Sequence, residues 1–546
     1  MRLWKRRDEL VEFADPVSIA SDFRTLAYIT DMDKRKVEIV GTNKSRDRII
    51  VVSKKKDVYE IETIATTTET IDYIASVDII KNGIREYLVY SKGISGFNIF
   101  TVDARGRETP IGHSDSMPFL VSYEGLNPFL FTQLDGKTIF IDVIEGTSHS
   151  NKTPFGILRN NHSSGFIDVS GDGVADLVLD TVKNGRRIIE IWQMNESKYT
   201  LECSFEIRGE TGPFVFGDFT GTGSVDILYL SNGGLPSINI IPNRRLPYCT
   251  DLIRNNCLKK DSIMKSTDVF GYDSKDIIKY PVKDIYEFSL YTEDGPVFPS
   301  VLDINSNTYP DILTVARNKR DGLLKPMLFL NTNGSGFENE DVFEDCPGPA
   351  QSVSFYRQDK GIWTVLETKT INDQPSLYIY RNNSDISGYY LSIAANIQTP
   401  SLTAPAVGAS HACRIAETGR VIVGFYPPQT GYTTLQSPVI MMGLGTTNVF
   451  VGSFHSRIPS NDYLPGHIQD KIVPNSELVV EATPDKQTLK TSLYLNTNAY
   501  WPLAIPIILS ILFVLVIITA YFSLKTRKGT KHNMRRTRYD VAFRAL

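Results

Sequence analysis

Three short segments of the sequence place oxygen-bearing side chains at positions 1, 3, 5 and 9 of a loop that runs directly into an apolar stretch. The first is GFIDVSGDGVADLVLD (165–180), and its copies are FGDFTGTGSVDILYL (216–230) and VLDINSNTYPDILTV (301–315). In a tight loop the odd positions can point inward together, and such a set of oxygens suits Ca²⁺ better than Mg²⁺ or a transition metal. The predicted ligands are Asp168, Ser170, Asp172 and Asp176; Asp218, Thr220, Thr222 and Asp226; and Asp303, Asn305, Asn307 and Asp311.

The three loops differ in charge. The first has three carboxylates and each of the others has two, so we predict weak calcium sites, with dissociation constants of roughly 10⁻⁴–10⁻³ M. An EF-hand would need an acid at position 12, where Leu179, Tyr229 and Thr314 stand. The alternative is a hairpin rich in Asx turns that needs no metal. The sequence favours metal at 168–176, and both explanations stay open for 218–226 and 303–311.

Weaker copies of the same unit recur along the chain, with starts near residues 22, 78, 122, 168, 218, 303 and 355. Repeats spaced by about 50 residues, each with about four short strands, are typical of propeller blades. We therefore predict an all-β fold with a seven-bladed β-propeller over 1–395. Alternating apolar residues in GRVIVGFYPP, NVFVGSF and SELVVEATP predict a small, β-sandwich-like, membrane-proximal domain over 396–498.

An uncharged apolar stretch follows this domain. No charged residue occurs between Lys490 and Lys525, and residues 503–522 are almost all apolar. A stretch of about 20 such residues is long enough to cross a bilayer as a helix. The sequence therefore predicts a transmembrane helix over 499–523 and a basic tail over 524–546.

The charge of the tail predicts the orientation of the chain. Residues 525–546 carry a net charge of +7, and the positive-inside rule then places the C-terminus in the cytosol. Residues 1–500 would lie outside the cell or in a lumen, as in a single-pass type I protein of the plasma membrane or the endoplasmic reticulum. The N-terminal MRLWKRRDELVEFADPVSIA has no apolar segment typical of an export signal. We expect either that a signal precedes this start or that the chain is tail-anchored with its body in the cytosol.

The rest of the chain is acidic. The whole sequence has a net charge of −4, so the residues outside the tail carry −11, which argues against nucleic acid as the main partner. The basic tail could attract anionic lipid. Cys249 and Cys257 could form a disulfide in an oxidising compartment. Six Asn-x-Ser/Thr sequons permit glycosylation, at Asn43, Asn151, Asn161, Asn195, Asn333 and Asn382.

The segment FGDFTGTGSVDILYL resembles an FG-GAP repeat, the blade unit of the integrin α-subunit head. The segments PAVGASHACRIAETGRVIVGFYPPQT, MMGLGTTNVFVGSF (441–454) and IVPNSELVV (472–480), followed by one spanning helix, resemble the T-cell immunomodulatory protein family, also called linkin. The resemblance implies a type I membrane protein with an FG-GAP propeller, calcium at the three loops and a role in cell adhesion or cell–cell signalling. The sequence departs from the family pattern in its missing signal peptide and in at least four repeats that lack the acidic residues.

The sequence contains no familiar catalytic motif. HExxH, GxSxG and GxxxxGK are absent and the seven histidines are scattered. The clustered carboxylates are typical of metal ligands rather than of an acid/base pair. We therefore predict that the protein is not an enzyme.

Two functions remain. The leading hypothesis is a calcium-supported adhesion or recognition receptor that binds a protein partner on the propeller face. The alternative is a membrane protein of the endoplasmic reticulum that assists folding, trafficking or complex assembly, because Arg535-Arg536-Thr537-Arg538 resembles an arginine-type retrieval signal. The competing explanation of these basic residues is attraction to anionic lipid.

Overall fold

Strands make up most of the computed structural model of this chain. The chain divides into two units, Met1–Tyr494 and Leu495–Leu546. The structure describes residues 13–31, 36–55, 58–75, 79–81, 83–122, 128–195, 198–244, 271–283, 286–292, 295–340, 342–343, 348–358, 362–371, 374–382, 388–400, 402–415, 417–428, 432, 436–446, 450–458, 467–469, 471–483, 488–495 and 501–543.

Antiparallel sheets follow one another through most of the first unit, and most strands that are successive in the chain are neighbours in their sheet. Sheet 1 consists of β2 (Arg24–Asp31), β3 (Lys36–Thr42), β4 (Arg48–Lys55) and β5 (Val58–Thr66). Sheet 2 consists of β6 (Tyr73–Ile74), β7 (Ile79–Lys81), β8 (Ile84–Lys92), β9 (Phe97–Asp103) and β10 (Glu108–Ser114). Sheet 3 consists of β11 (Phe119–Ser122), β12 (Pro128–Leu134), β13 (Lys137–Asp142) and β14 (Ser148–Ser150).

The next three sheets contain the predicted calcium loops. Sheet 4 consists of β15 (Ile157–Leu158), β16 (Gly165–Ile167), β17 (Asp176–Lys183), β18 (Arg186–Asn195) and β19 (Lys198–Ile207). Sheet 5 consists of β20 (Thr211–Gly217), β21 (Asp226–Ser231), β22 (Ser237–Ile241) and β23 (Ile278–Pro281). Sheet 6 consists of β24 (Tyr286–Phe288), β27 (Ser300–Leu302), β28 (Asp311–Asn318), β29 (Leu324–Asn331) and β30 (Phe337–Glu340), and β25 (Tyr291–Thr292) and β26 (Gly295–Pro296) form a separate hairpin.

The last sheet of the series is completed by the beginning of the chain. Sheet 7 consists of β31 (Ala350–Gln358), β32 (Ile362–Ile371), β33 (Gln374–Arg381) and β1 (Val17–Ser21). Strand β1 pairs antiparallel with β33, so that Ser21 lies opposite Ser376. The N-terminal strand therefore joins the last sheet and closes the series.

The innermost strands of neighbouring sheets surround a common axis. Strand β11 contacts β16, β20 contacts β27, and β27 contacts β31. The hydrophobic core lies between adjacent sheets: one cluster joins Ile29 of sheet 1 to Val89 of sheet 2, and another joins Ile191 of sheet 4 to Phe216 of sheet 5. Because both faces of such a sheet are covered, second strands such as β21, with the sequence DILYLS, are buried almost throughout. The predicted all-β propeller architecture is confirmed.

A C-terminal β domain follows the propeller, and two sheets form it. One consists of β34 (Tyr389–Gln398), β35 (Leu402–Pro405), β38 (Ile440–Gly445), β41 (Ser476–Thr483) and β42 (Thr488–Leu495), and the other of β36 (Ser410–Arg414), β37 (Val421–Phe425), β39 (Ser453–Arg457) and β40 (His467–Gln469). Strand β34 spans the position at which the sequence predicts the domain boundary. Strand β35 also pairs with β7 of sheet 2, so hydrogen bonds join this domain directly to the propeller.

The second unit contains one helix, α1 (Trp501–Phe543). Within the part of the chain that the structure describes, its segment Ile505–Lys528, with a mean hydropathy of 2.8, is the one stretch long and apolar enough to cross a membrane. Its large apolar side chains, such as Phe513, are exposed. This helix fits a membrane protein, and it continues into the predicted tail.

The structure describes two of the five cysteines. Cys203 is half-buried and Cys413 is buried, and both are free thiols. Cys249, Cys257 and Cys346 lie outside the described residues, so the predicted Cys249–Cys257 disulfide stays a prediction.

Candidate functional site

The three predicted calcium loops occupy equivalent places in neighbouring sheets. Residues 168–176 join β16 to β17, residues 218–226 join β20 to β21, and residues 303–311 join β27 to β28. Each loop therefore connects the innermost strand of its sheet, next to the axis, with the strand that pairs with it. We call the end of the propeller where these loops lie the loop face.

The first aspartate of each loop binds main-chain amides of its own loop. The two carboxylate oxygens of Asp168 accept hydrogen bonds from the N–H groups of Gly171 and Gly173, at 2.6 and 2.8 Å. The corresponding bonds join Asp218 to Thr222 and Gly223, and Asp303 to Asn307 and Thr308. These contacts are the Asx-type turns of the metal-free explanation, and they exist in all three loops.

The side chains at the middle ligand positions also form hydrogen bonds with nearby residues. Asp172 Oδ1 accepts the N–H of Val174 at 2.8 Å, and Ser170 is fully buried. Further contacts are those of Ser170 Oγ with Asp168 Oδ1, of Thr220 Oγ1 with Asp226, of Thr220 Oγ1 with Thr222 Oγ1, of Asn305 Oδ1 with the Asn307 N–H, of Asn307 Oδ1 with the Tyr309 N–H, and of Asn307 Nδ2 with the main-chain oxygen of Asn331. The structure thus brings each predicted set together in one loop.

The last aspartate distinguishes the first loop from the other two. Asp176 is fully buried; its Oδ2 accepts the N–H groups of Val169 and Ser170, whereas its Oδ1 has no hydrogen-bond partner in the described structure. A buried polar atom without a partner is costly. This oxygen of the first loop is therefore available to a cation.

In the second and third loops the same atom is satisfied by a main-chain amide. Asp226 Oδ1 accepts the N–H of Asn243 at 3.0 Å, and Asp311 Oδ1 accepts the N–H of Asn331 at 2.7 Å. The side-chain amide of each asparagine then donates to a main-chain carbonyl of the preceding loop. These hydrogen bonds link neighbouring blades.

The electrostatics of the loops reflect crowded and buried carboxylates. Burial raises the pKa of Asp176 well above its usual range, and the charges of Asp168 and Asp172 raise it further. Burial also raises the pKa of Asp226 to about 7 and that of Asp303 to about 7. Each carboxylate would be stabilised in its charged form by a nearby cation.

The first loop fits a calcium ion better than its two copies do. It has three carboxylates and one unpaired buried oxygen, that of Asp176. Among the described residues, no three acidic, histidine or cysteine side chains converge closely enough to coordinate an ion. The Asx turn of Asp172 keeps its carboxylate within its own turn, so coordination would require this side chain to rotate. The predicted ligand set is thus present, and calcium binding itself stays a prediction.

The C-terminal domain covers the loop face, which the sequence did not indicate. At the first loop, Arg457 Nη1 donates to the main-chain oxygen of Asp172 at 2.5 Å. The side chain of Arg457 lies so close to Gly173 that a Cβ there would stand 2.1 Å from Arg457 Cδ. A glycine is required at this position both for this contact and for its positive φ of 85°.

A second arginine of this domain lies between the other two loops. The Arg420 guanidinium lies 3.8 Å from the ring centroid of Tyr309, and its Nη2 donates to the main-chain oxygen of Thr308 at 3.1 Å. Burial raises the pKa of Asp218 to about 6, and the positive charge of Arg420 opposes this rise, as it does for Asp303. Arg420 therefore supplies positive charge where the predicted ligand sets have two carboxylates.

Main-chain atoms complete this contact. A Cβ at Gly443 of β38 would stand 1.7 Å from Asp303 Oδ2, and the N–H of Gly445 donates to the Ser306 carbonyl at 2.9 Å. The third loop is thus covered by backbone as well as by a guanidinium group.

A tyrosine of the C-terminal domain reaches the propeller axis. Tyr432 is 3% exposed, and its ring centroid lies 5.8 Å from that of Tyr73, 6.2 Å from that of His162 and 6.1 Å from that of Phe298. Tyr73 lies in β6 of sheet 2, and His162 and Phe298 lie shortly before β16 of sheet 4 and β27 of sheet 6. The domain therefore covers the loop face and also extends into the centre of the ring.

Sequence reasoning missed Arg420, Arg457 and Tyr432. Arg420 is the second residue of GRVIVGFYPP, in which the sequence predicted only a strand, and a single basic residue at a strand end has no distinctive pattern. Their role depends on how two domains meet, and only the three-dimensional structure contains that information.

One protein-family model matches most of the C-terminal domain. A family model described as "ITFG1, C2 domain" matches residues 403–494. This range lies within the part of the chain that forms the two C-terminal sheets.

Similarity to known proteins extends over most of the chain. A "T-cell immunomodulatory protein homolog" of Plasmodium yoelii yoelii is 23% identical over 453 residues, covering 71% of this chain and 64% of the relative. The "T-cell immunomodulatory protein" of Mus musculus is 22% identical over 439 residues, covering 71% of this chain and 67% of the relative. The chain thus spans about two thirds of the length of these relatives.

Among solved structures, YCF48 from Cyanidioschyzon merolae aligns with a TM-score of 0.36 and 8% identity, covering 67% of this chain and 98% of that chain.

Proposed function

Since this chain is related to the T-cell immunomodulatory protein family, we propose that it is a type I membrane protein whose propeller binds a protein partner, with calcium supporting the first loop. It acts in cell adhesion or cell-surface signalling and is not an enzyme. Helix α1 anchors it, the propeller and C-terminal domain lie outside the cell or in a lumen, and the basic end of the chain faces the cytosol.

The observation that carries this proposal is the position of the C-terminal domain. Arg420 and Arg457 of that domain contact the loop face, which makes this end of the ring an internal contact. Successive connections of an antiparallel meander lie at alternate ends of the sheet. The β8–β9 hairpin and the connections between sheets therefore lie at the other end, which we call the opposite face. The partner binds there.

Calcium has a structural role in this proposal. An ion at 168–176 offsets most of the negative charge of Asp168, Asp172 and Asp176 and provides a partner for the unpaired Asp176 oxygen. Because Arg457 binds the main-chain oxygen of Asp172, the ion also holds the loop in the form that the C-terminal domain contacts. Calcium thus stabilises the propeller without touching the partner.

The test uses the full chain, reconstituted in fluorescent phosphatidylcholine liposomes and added to cells. We expect saturable binding that trypsin treatment of the cell surface abolishes and that chelation of calcium reduces. Liposomes without protein are the control for adsorption. Binding that does not saturate, or that survives trypsin, would contradict a protein partner.

A double variant, Asp168→Asn with Asp176→Asn, tests the calcium component separately. We expect it to bind cells at the level of the chelated wild type and to ignore added calcium. If chelation and this variant both leave folding and cell binding unchanged, calcium has no role in the protein.

A further inference from the structure

A cavity of about 430 Å³ opens on the opposite face of the propeller. Three segments form most of its wall: the β8–β9 hairpin (92–97), the connection 115–117 between sheets 2 and 3, and residues 158–161 at the start of sheet 4. The lining is mainly polar. Neither the loop face nor the predicted calcium ligands contribute to it.

Arg159 is the least exposed of the three charged groups in this wall, the others being Lys92 and Asp115. Its Nη2 donates to Tyr291 Oη and to the main-chain oxygen of Asn161, both at 2.9 Å. The same Nη2 also donates to Asp180 Oδ2 at 3.5 Å, whereas Nε lies 3.4 Å from Asp180 Oδ1 and makes no hydrogen bond. The guanidinium group is thus held in a fixed position, with donor capacity left over.

The carboxylate beside Arg159 is already neutralised by another arginine. Arg187 binds Asp180 with two hydrogen bonds, of 2.9 Å to Oδ1 and 2.7 Å to Oδ2. Asp180 is 1% exposed and the Arg187 side chain is 8% exposed, so this pair is complete and buried. Two guanidinium groups therefore share one carboxylate, and the positive charge of Arg159 is in excess.

The other ionisable groups at the cavity do not remove this excess. Lys92 lines the rim and adds positive charge. Asp115 also lines the cavity, where its carboxylate accepts the N–H of Asp135, and its single negative charge offsets one of the two positive charges of Lys92 and Arg159. His162 lies behind the wall, and burial lowers its pKa to about 4, so it is neutral at physiological pH. The cavity as a whole has a surplus of positive charge.

Exposed apolar side chains stand beside the cavity. Ile94, at the tip of the β8–β9 hairpin, is 110% exposed, and Ile157, next to Leu158 of the wall, is 61% exposed. Protein interfaces commonly combine a few apolar anchors with a charged group in a pocket. A free sugar acid would use the charge but not these two isoleucines.

We propose that the Arg159 cavity receives an acidic side chain of the protein partner, with Arg159 and Lys92 binding its carboxylate and Ile94 and Ile157 contacting apolar residues beside it. This inference rests on the proposed function, because it places the partner on the opposite face. It adds the chemistry that the partner must have: an Asp or Glu flanked by apolar residues.

The test measures binding of end-capped Leu-Asp-Leu to the full chain in phosphatidylcholine nanodiscs by saturation-transfer NMR. Leu-Asn-Leu and glucuronate are the comparison probes. Because a charge-assisted hydrogen bond is lost, we expect the Asn peptide to bind at least about tenfold more weakly. Equal binding of the two peptides would overturn the proposal. Binding of glucuronate without binding of Leu-Asp-Leu would overturn the assignment to a protein side chain.

Two variants and one control locate the site. Arg159→Gln and Lys92→Glu should each weaken Leu-Asp-Leu at least about tenfold. Arg186→Gln, which alters an exposed ion pair with Glu206 on the same sheet, should have no effect. If Arg159→Gln does not fold, Lys92→Glu decides the outcome, because Lys92 lies at the surface. Cell binding that persists fully in Lys92→Glu would overturn this inference and leave the proposed function standing.

Discussion

A single buried oxygen atom without a hydrogen bond, Asp176 Oδ1, distinguishes the first loop from its copies. Asp176 and Asp226 end equivalent loops, and both are fully buried. In Asp226 both oxygens accept hydrogen bonds from donors, whereas Asp176 Oδ1 accepts none among the described residues. The same substitution at the two positions should therefore have opposite effects.

Asp176→Asn should stabilise the calcium-free protein, by about 1–2 kcal/mol. The new amide keeps an acceptor for Val169 and Ser170 and directs its NH₂ group toward the carboxylates that raise the pKa of Asp176. The raised pKa of Asp176 also means that stability of the calcium-free wild type rises as the pH falls through that value. The variant should lose this part of the pH dependence. The measurement is thermal unfolding in chelator at pH 8 and at pH 6.

The matched control is Asp226→Asn. Its NH₂ group would face an N–H donor, of either Thr220 or Asn243, and we expect a loss of about 1–3 kcal/mol. Added calcium should then raise the unfolding temperature of the wild type but not of Asp176→Asn. Destabilisation by both substitutions to the same degree in chelator would mean that Asp176 Oδ1 has a donor that the structure does not record.

At the scale of elements, the loops are held by strands of another domain. Arg420 precedes β37 and contacts the third loop at Thr308 and Tyr309, whereas Arg457 ends β39 and contacts the first loop at Asp172. Each arginine therefore stabilises a different part of the loop face.

Arg420→Gln should loosen the third loop and leave the first unchanged, and Arg457→Gln should do the reverse. The loss of one charge-assisted hydrogen bond corresponds to about a tenfold increase in local opening. Hydrogen exchange of the amides in 168–176 and 303–311 measures the effect for both variants side by side. If either variant accelerates exchange in both loops alike, the C-terminal domain docks as one cooperative body.

The sequence predicts the ligand positions of these loops but not the backbone conformation of the third loop. Positions 1, 3, 5 and 9 of each loop could be assigned, because the pattern repeats and the apolar run after position 9 predicts a strand. The left-handed backbone of Ser306 and Thr308 could not be predicted from the sequence. Their φ angles are 56° and 78°, and the first two loops have glycine at these positions. Strain at such residues persists only where the surrounding structure holds it, and here the holding group is Arg420, more than 100 residues away in the sequence.

At the scale of the whole molecule, the repeats predict a ring but not what covers it. A repeat of about 50 residues implies strands that must bury both faces, and this much follows from composition and spacing. That the C-terminal domain pairs β35 with β7 and places Tyr432 at the axis depends on long-range contacts that no local pattern encodes. The same holds for the closure of the ring by β1.

Closure by β1 predicts a specific cross-link. Ser21 lies directly opposite Ser376 in the β1–β33 pair, and directly opposed residues of antiparallel strands have Cα atoms about 4.5–5.5 Å apart, within the range of a disulfide. Ser21→Cys with Ser376→Cys should therefore oxidise readily. The link would close most of the propeller into one loop and stabilise it by up to roughly 5 kcal/mol. Ser18→Cys with Ser376→Cys is the control, because Ser18 lies opposite Tyr378 and the pair is out of register. Denaturant unfolding with and without reductant measures the gain, and failure of the in-register pair to oxidise would show that another strand completes the last sheet.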